Sequence, residues 1–187
     1  MTVYRPEFEQ ALRAFARISE VMKARGADAP VLVGGAAVEL YSSGALATGD
    51  FDIVTPRQQE FEKVLQEHGF VRPTGTGQLT RGWIHPDLRL GFEIVSSTLL
   101  DGQADRERVL LIDFGADGFI SVIAIEDMIA DRMGQYASGS AHDMLGQAQA
   151  LFDLHPDADL NYLERRIREE TFGDHGISSL EAGNGQV

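Results

Sequence analysis

Phe8, Leu12, Phe15, Ile18 and Met22 recur at intervals of three and four residues after Pro6. This spacing predicts an amphipathic helix that starts at the proline and ends near Gly26. Beyond it the apolar positions run together. Val31-Leu32-Val33 predicts a short buried strand, Gly34-Gly35 a break, and residues 36–41 a helix closed by Ser42-Ser43-Gly44. Residues 51–54 form the next predicted strand. Thr55-Pro56-Arg57-Gln58 then combines an N-cap threonine, a proline at the first helical position and a capping-box glutamine. The helix predicted there buries Phe61, Val64 and Leu65 and stops at Gly69.

From Val71 to Ala124 the pattern is one of strands and turns. Thr74-Gly75-Thr76-Gly77 predicts a flexible loop. Residues 83–85 and 88–95 predict a hairpin turning at Pro86-Asp87, with Glu93 on its second arm; residues 109–114 and 119–123 predict another. Helical spacing then returns in three groups. They are Met128, Ile129, Met133 and Tyr136; Met144, Leu145, Ala148, Leu151 and Phe152; and Leu160, Leu163 and Ile167. Ser140 with Asp143, and Pro156 with Asp157, are the start signals for the last two. From Gly173 the chain is polar and glycine-rich, which predicts a weakly ordered tail. The expected fold class is therefore α+β. A mixed sheet flanked by helices fills residues 1–124, a small helical bundle over 125–172 packs beside it, and a polar tail occupies 173–187.

Composition narrows the function classes. A chain of 187 residues makes one domain, or one domain with a small helical appendage. The absence of cysteine excludes a disulfide framework and a thiolate zinc site. The five histidines show no paired metal-ligand spacing. The N-terminus MTVYRPEFEQ lacks the apolar core of a signal peptide, and no apolar run is long enough to cross a bilayer, so a cytoplasmic protein without a membrane partner is expected. A net charge of −13 disfavours nucleic acid as the main partner, because a phosphate backbone finds no basic footprint. Cationic small molecules or basic proteins are favoured instead, although plain solubility accounts for the acidity equally well.

The candidate chemistry lies in three short stretches: Gly34-Gly35, Asp50-Phe51-Asp52 and, later, Glu93. Residues i and i+2 of a strand point to one face, so Asp50 and Asp52 project together. If Glu93 lies on a neighbouring strand, three carboxylates converge. Three uncompensated anions at that range repel by several kcal/mol unless a cation sits among them. Mg²⁺ (or Mn²⁺), a hard ion that takes oxygen ligands, balances them. A glycine pair between strand and helix lets the backbone approach a phosphate, and the helix N-terminus offers it N–H groups. Each signal alone has an ordinary explanation: an unliganded turn for the glycines, a solvated strand edge for the aspartates.

In this order, strand, Gly-Gly, short helix, Thr48-Gly49-Asp50-Phe51-Asp52 and a third carboxylate resemble the nucleotidyltransferases of the DNA polymerase β superfamily. Residues 125–132, Ile-Glu-Asp-Met-Ile-Ala-Asp-Arg, resemble a helix of its small stand-alone bacterial members, among them the abortive-infection type nucleotidyltransferases. The resemblance implies a nucleotidyltransferase-like fold and a Mg²⁺-dependent transfer of NMP, with AMP from ATP favoured. The acceptor would be a hydroxyl on a small molecule or protein. It implies Asp50, Asp52 and Glu93 as catalytic metal ligands, Gly34 and Gly35 as a phosphate cradle, Thr48 as support for the loop, and Arg132 as a phosphate contact. The ordinary alternative for Arg132 is an ion pair with Asp127 or Asp131. The chain departs from the pattern at Leu46, where many members carry arginine, in the long interval from Gly35 to Asp50, in Glu rather than Asp at 93, and in Gly rather than Ser at 35. These departures bear on catalytic efficiency more than on fold. They motivate a second reading: a catalytically weak or inactive nucleotide- or partner-binding module, such as one member of a toxin–antitoxin pair. A third reading, a structural domain with coincidental carboxylates, requires Glu93 to lie far from Asp50 and Asp52.

Overall fold

The computed structural model describes residues 4–47, 49–72, 82–88, 90–139 and 141–181. They divide into two compact units, the first ending at Ile123 and the second starting at Ala124. The first unit is built on a six-stranded mixed sheet of order β3-β4-β2-β1-β6-β5. The strands are β1 (Val31–Val33), β2 (Asp50–Val54), β3 (Trp83–Ile84), β4 (Gly91–Ser96), β5 (Leu110–Asp113) and β6 (Phe119–Val122). Helices α1 (Pro6–Ala24), α2 (Gly34–Tyr41) and α3 (Gln58–Glu67) accompany them.

β1 runs antiparallel to β2 and parallel to β6, and β2 runs parallel to β4. Both expected hairpins form, with β3 antiparallel to β4 and β5 antiparallel to β6. One face of the central strands is aromatic. Phe51 on β2 stacks on Phe92 of β4 with ring centroids 4.9 Å apart, and α1 lays Phe8 and Phe15 against the pair at 5.4 Å and 6.1 Å. All four rings are fully buried, each contributing about 1.5–3 kcal/mol of transfer free energy. Because side chains alternate along a strand, this packing fixes the register and turns the residues on either side of Phe51 to the opposite face.

The helix expected after Thr55 starts later than its signals imply. Thr55 N–H donates to Ser96 O at 3.1 Å, which keeps Thr55 in the sheet, and its hydroxyl accepts from Arg57 N–H at 3.2 Å. That turn uses the oxygen that a capping box needs, so α3 begins at Gln58 with no side-chain cap.

The second unit holds α4 (Ile125–Ala137), α5 (Met144–Leu154), α6 (Leu160–Glu170) and α7 (Ser178–Glu181). α6 is capped by Asp159, whose carboxylate accepts from the N–H groups of Asn161 and Tyr162; Pro156 and Asp157 precede the cap and do not form it. α5 follows Asp143 without a side-chain cap, and Ser140 lies outside the described residues. Part of the expected loose tail is ordered. Leu180 on α7 is buried and Glu164 accepts from Ile177 N–H at 2.7 Å.

A buried ionic cluster joins α4 to α6. Arg166, fully buried, donates from Nε to Asp127 Oδ1 at 2.6 Å and from its two terminal nitrogens to Glu169 and Glu170 at 2.5 Å each. Tyr162 Oη donates to the same Asp127 at 2.9 Å. Burial works against the Arg166 charge, but these carboxylate partners outweigh it and hold the guanidinium above its ordinary pKa. Among the described residues no helix is long and apolar enough to cross a membrane.

Candidate active site

Asp50 and Asp52 lie on either side of Phe51 in β2, so the aromatic core that takes Phe51 turns both carboxylates to the other face. In the parallel pairing with β4, Asp50 stands opposite Gly91 and Asp52 opposite Glu93. Residues opposite one another in a sheet share a face, so Asp50, Asp52 and Glu93 stand together on one side of two adjacent strands. All three are half-buried. On the other flank of β2, Asp52 is opposite Val33, the last residue of β1. The chain turns there through Gly34, at φ +61°, into α2, with Gly35 next in the first turn.

Each β2 carboxylate rests against a glycine. A Cβ placed on Gly34 would stand 2.0 Å from Asp52 Oδ2 and 2.8 Å from both its Cβ and Cγ. A Cβ on Gly91 would stand 2.8 Å from Asp50 Oδ1, which also accepts the Gly91 N–H at 3.1 Å. A third glycine, Gly82, adjoins β4, where a Cβ would meet Phe92 O at 2.6 Å and Glu93 Cβ at 3.2 Å. Sequence reasoning missed Gly82 and Gly91. The available signal was an isolated glycine in an apolar strand, Leu90-Gly91-Phe92, which marks close approach of another group.

Thr48 and Arg132 are the remaining expected site residues. Thr48 lies outside the described residues. Arg132 belongs to α4 of the second unit, where it is 5 % exposed and pairs with Asp131 Oδ2 at 3.2 Å. Its Nε is buried with no acceptor among the described residues. Leu46, at the position where the resemblance calls for arginine, donates its N–H to Ser42 Oγ at 3.1 Å. A hollow of about 750 Å³ at the start of α3, lined by Pro56, Arg57, Lys63 and Arg72 among others, holds none of the three carboxylates. The chemistry-bearing groups and this hollow are thus different places, and donor chemistry locates the candidate site.

Among the described residues no three Asp, Glu or His side chains approach one point closely enough to cage a metal by themselves. The donor set still fits Mg²⁺, which takes one or two carboxylates and completes its shell with substrate phosphates and water. All three groups are carboxylates, and no ion pair joins Asp50 or Glu93 to a cation among the described residues. Residues 50, 52 and 93 would hold such an ion jointly with a bound triphosphate.

Two solved structures are similar to the whole chain. One is the crystal structure of an antigenic nucleotidyltransferase-like protein from Paracoccidioides brasiliensis, at 14 % identity and TM-score 0.59, covering 96 % of this chain and 94 % of that one. The other is the solution structure of the antibiotic-resistance factor ANT(2'')-Ia, which reveals substrate-regulated conformation dynamics. It matches at 12 % identity and TM-score 0.52, covering 94 % and 97 %. No family model and no curated protein matches the sequence. The chain has a nucleotidyltransferase-like α+β fold, as the order of its motifs implies.

Proposed function

We propose that this protein transfers a nucleoside monophosphate from a nucleoside triphosphate to a hydroxyl acceptor, breaking the α–β phosphoanhydride bond and releasing pyrophosphate. The observation that carries the proposal is the register of β2 on β4, which gathers Asp50, Asp52 and Glu93 on one face beside the start of α2. A bound Mg²⁺ or Mn²⁺ would supply charge neutralisation at the phosphates and lower the pKa of an acceptor hydroxyl. In this reading Asp50, Asp52 and Glu93 would hold that ion, and Glu93 takes the acceptor proton. Gly35 and the free N–H groups at the start of α2 receive the outer phosphates. Arg132 is assigned to a phosphate, as the resemblance implies. ATP, and so AMP transfer, is the favoured donor. A cationic hydroxylated small molecule or a basic protein is the favoured acceptor, in keeping with a net charge of −13.

The direct test is incubation with ATP labelled at the α-phosphate, Mg²⁺ and a panel of hydroxylated amines and basic proteins. Label moves to an acceptor with the wild type and not with Asp50→Asn or Asp52→Asn. No transfer by the wild type, together with nucleotide affinity that is equal in all three proteins and independent of Mg²⁺, overturns the catalytic reading. That result favours the second one, a nucleotide-binding module without turnover, which Leu46 also motivates.

A further inference from the structure

Gly91 is a glycine without a backbone reason to be one. Its φ is not in the left-handed region, and it lies in the buried start of a strand, where a glycine weakens pairing. The local reason is Asp50. The carboxylate leans across β4 so that Oδ1 stands 3.1 Å from Gly91 N and 2.8 Å from where a Cβ would be. Any side chain at 91 would push the carboxylate off the amide that holds it.

We propose that Gly91 is a positioning residue for Asp50, holding Oδ1 on the β4 backbone so that Oδ2 is the oxygen presented to a ligand. The inference rests on the nucleotidyl-transfer reading of this face. A carboxylate offers about four lone-pair directions on two oxygens. At Asp50 one oxygen is engaged by a backbone donor, and no other partner of Asp50 exists among the described residues. Backbone amides are fixed dipoles, so this bond sets the direction of the second oxygen without a side-chain rotamer to adjust. Groups that orient a metal ligand in this manner typically change metal affinity by about 10- to 100-fold when lost.

The test compares full-length wild type with Gly91→Ala in Mn²⁺ titrations followed by electron paramagnetic resonance, with a non-hydrolysable ATP analogue present throughout. The expected result is Mn²⁺ binding by the wild type and an affinity about tenfold or more weaker in Gly91→Ala, with an unchanged far-ultraviolet circular dichroism spectrum. Equal affinities within about twofold in two folded proteins overturn the positioning role and leave the transfer reading standing. No Mn²⁺ retained by the wild type overturns the transfer reading, and this inference with it. If Gly91→Ala does not fold, the Gly91 amide resonance of ¹⁵N-labelled wild type decides. It shifts on adding Mg²⁺ with the analogue if Asp50 is both seated on it and bound to the ion. A resonance that stays in place while neighbouring site resonances move overturns the proposal.

Discussion

Replacing Gly34 with alanine asks what its missing side chain makes room for. The substituent would be placed 2.0 Å from Asp52 Oδ2 and 2.8 Å from Asp52 Cβ and Cγ, whereas non-bonded carbon contacts settle at about 3.5–4.0 Å. Rotating the carboxylate away relieves the nearest clash but not the one at Asp52 Cβ. That atom is fixed by β2, which is paired to Val33 on one side and Glu93 on the other. Gly34 also sits at φ +61°. The left-handed conformation costs an L-residue about 1–2 kcal/mol and overpacking a filled site about 1–3 kcal/mol, so a loss of roughly 2–5 kcal/mol is expected. Urea unfolding followed by circular dichroism measures it. The double variant Gly34→Ala/Asp52→Ala keeps the backbone strain and the Cβ contact but removes the carboxylate, so it is expected to recover a part of the loss relative to Asp52→Ala alone. If Gly34→Ala unfolds at the wild-type urea concentration and loses only nucleotide affinity, the constraint at Gly34 is a phosphate rather than Asp52, and the packing argument is refuted.

Three further outcomes are expected. Arg166→Leu leaves the buried Asp127 without its cation and takes a partner from the more exposed Glu169 and Glu170, which costs about 3–5 kcal/mol; a urea-unfolding loss under about 1 kcal/mol contradicts this. Burial raises the pKa of Asp131 and of Glu170, with Asp131 and Asp127 as neighbouring negative charges adding to the rise at Glu170. The folded protein therefore holds these two protons more tightly than the unfolded chain. Their contribution to stability is complete below the ordinary values of 3.8 and 4.5 and is lost as pH rises through the raised ones. Wild type should thus lose stability relative to Asp131→Asn/Glu170→Gln as pH rises across that window, and a pH-independent difference in urea midpoint would count against it. Phe172 is 97 % exposed and sits at φ +53°, so Phe172→Gly should raise stability by about 1 kcal/mol by relieving a left-handed backbone while losing almost no contact. A lower melting temperature for that variant would mean that the ring has a partner in solution.

What could be learned from the sequence follows from which forces are local. The period of Phe8, Leu12, Phe15, Ile18 and Met22 specifies α1 because a helix buries one stripe of its own residues, and the alternation around Phe51 specifies which way Asp50 and Asp52 point. Caps were less legible. Thr55 carries the chemistry of an N-cap, yet its hydroxyl takes Arg57 N–H and its own N–H stays in the sheet; Asp159, not Pro156 or Asp157, caps α6. A hydroxyl or carboxylate can serve several nearby amides, and the tertiary position of the strand decides among them. The Arg166 cluster was invisible because its members lie on two helices whose pairing no sequence period encodes. Gly34 is the most instructive position. A glycine reports that some group comes close to the backbone without reporting which group. The resemblance implies a phosphate beside it; the packing brings the Asp52 side chain close to it as well. Both would hold if a phosphate met the N–H groups that follow Gly34, and not the face of Gly34 that the carboxylate already fills.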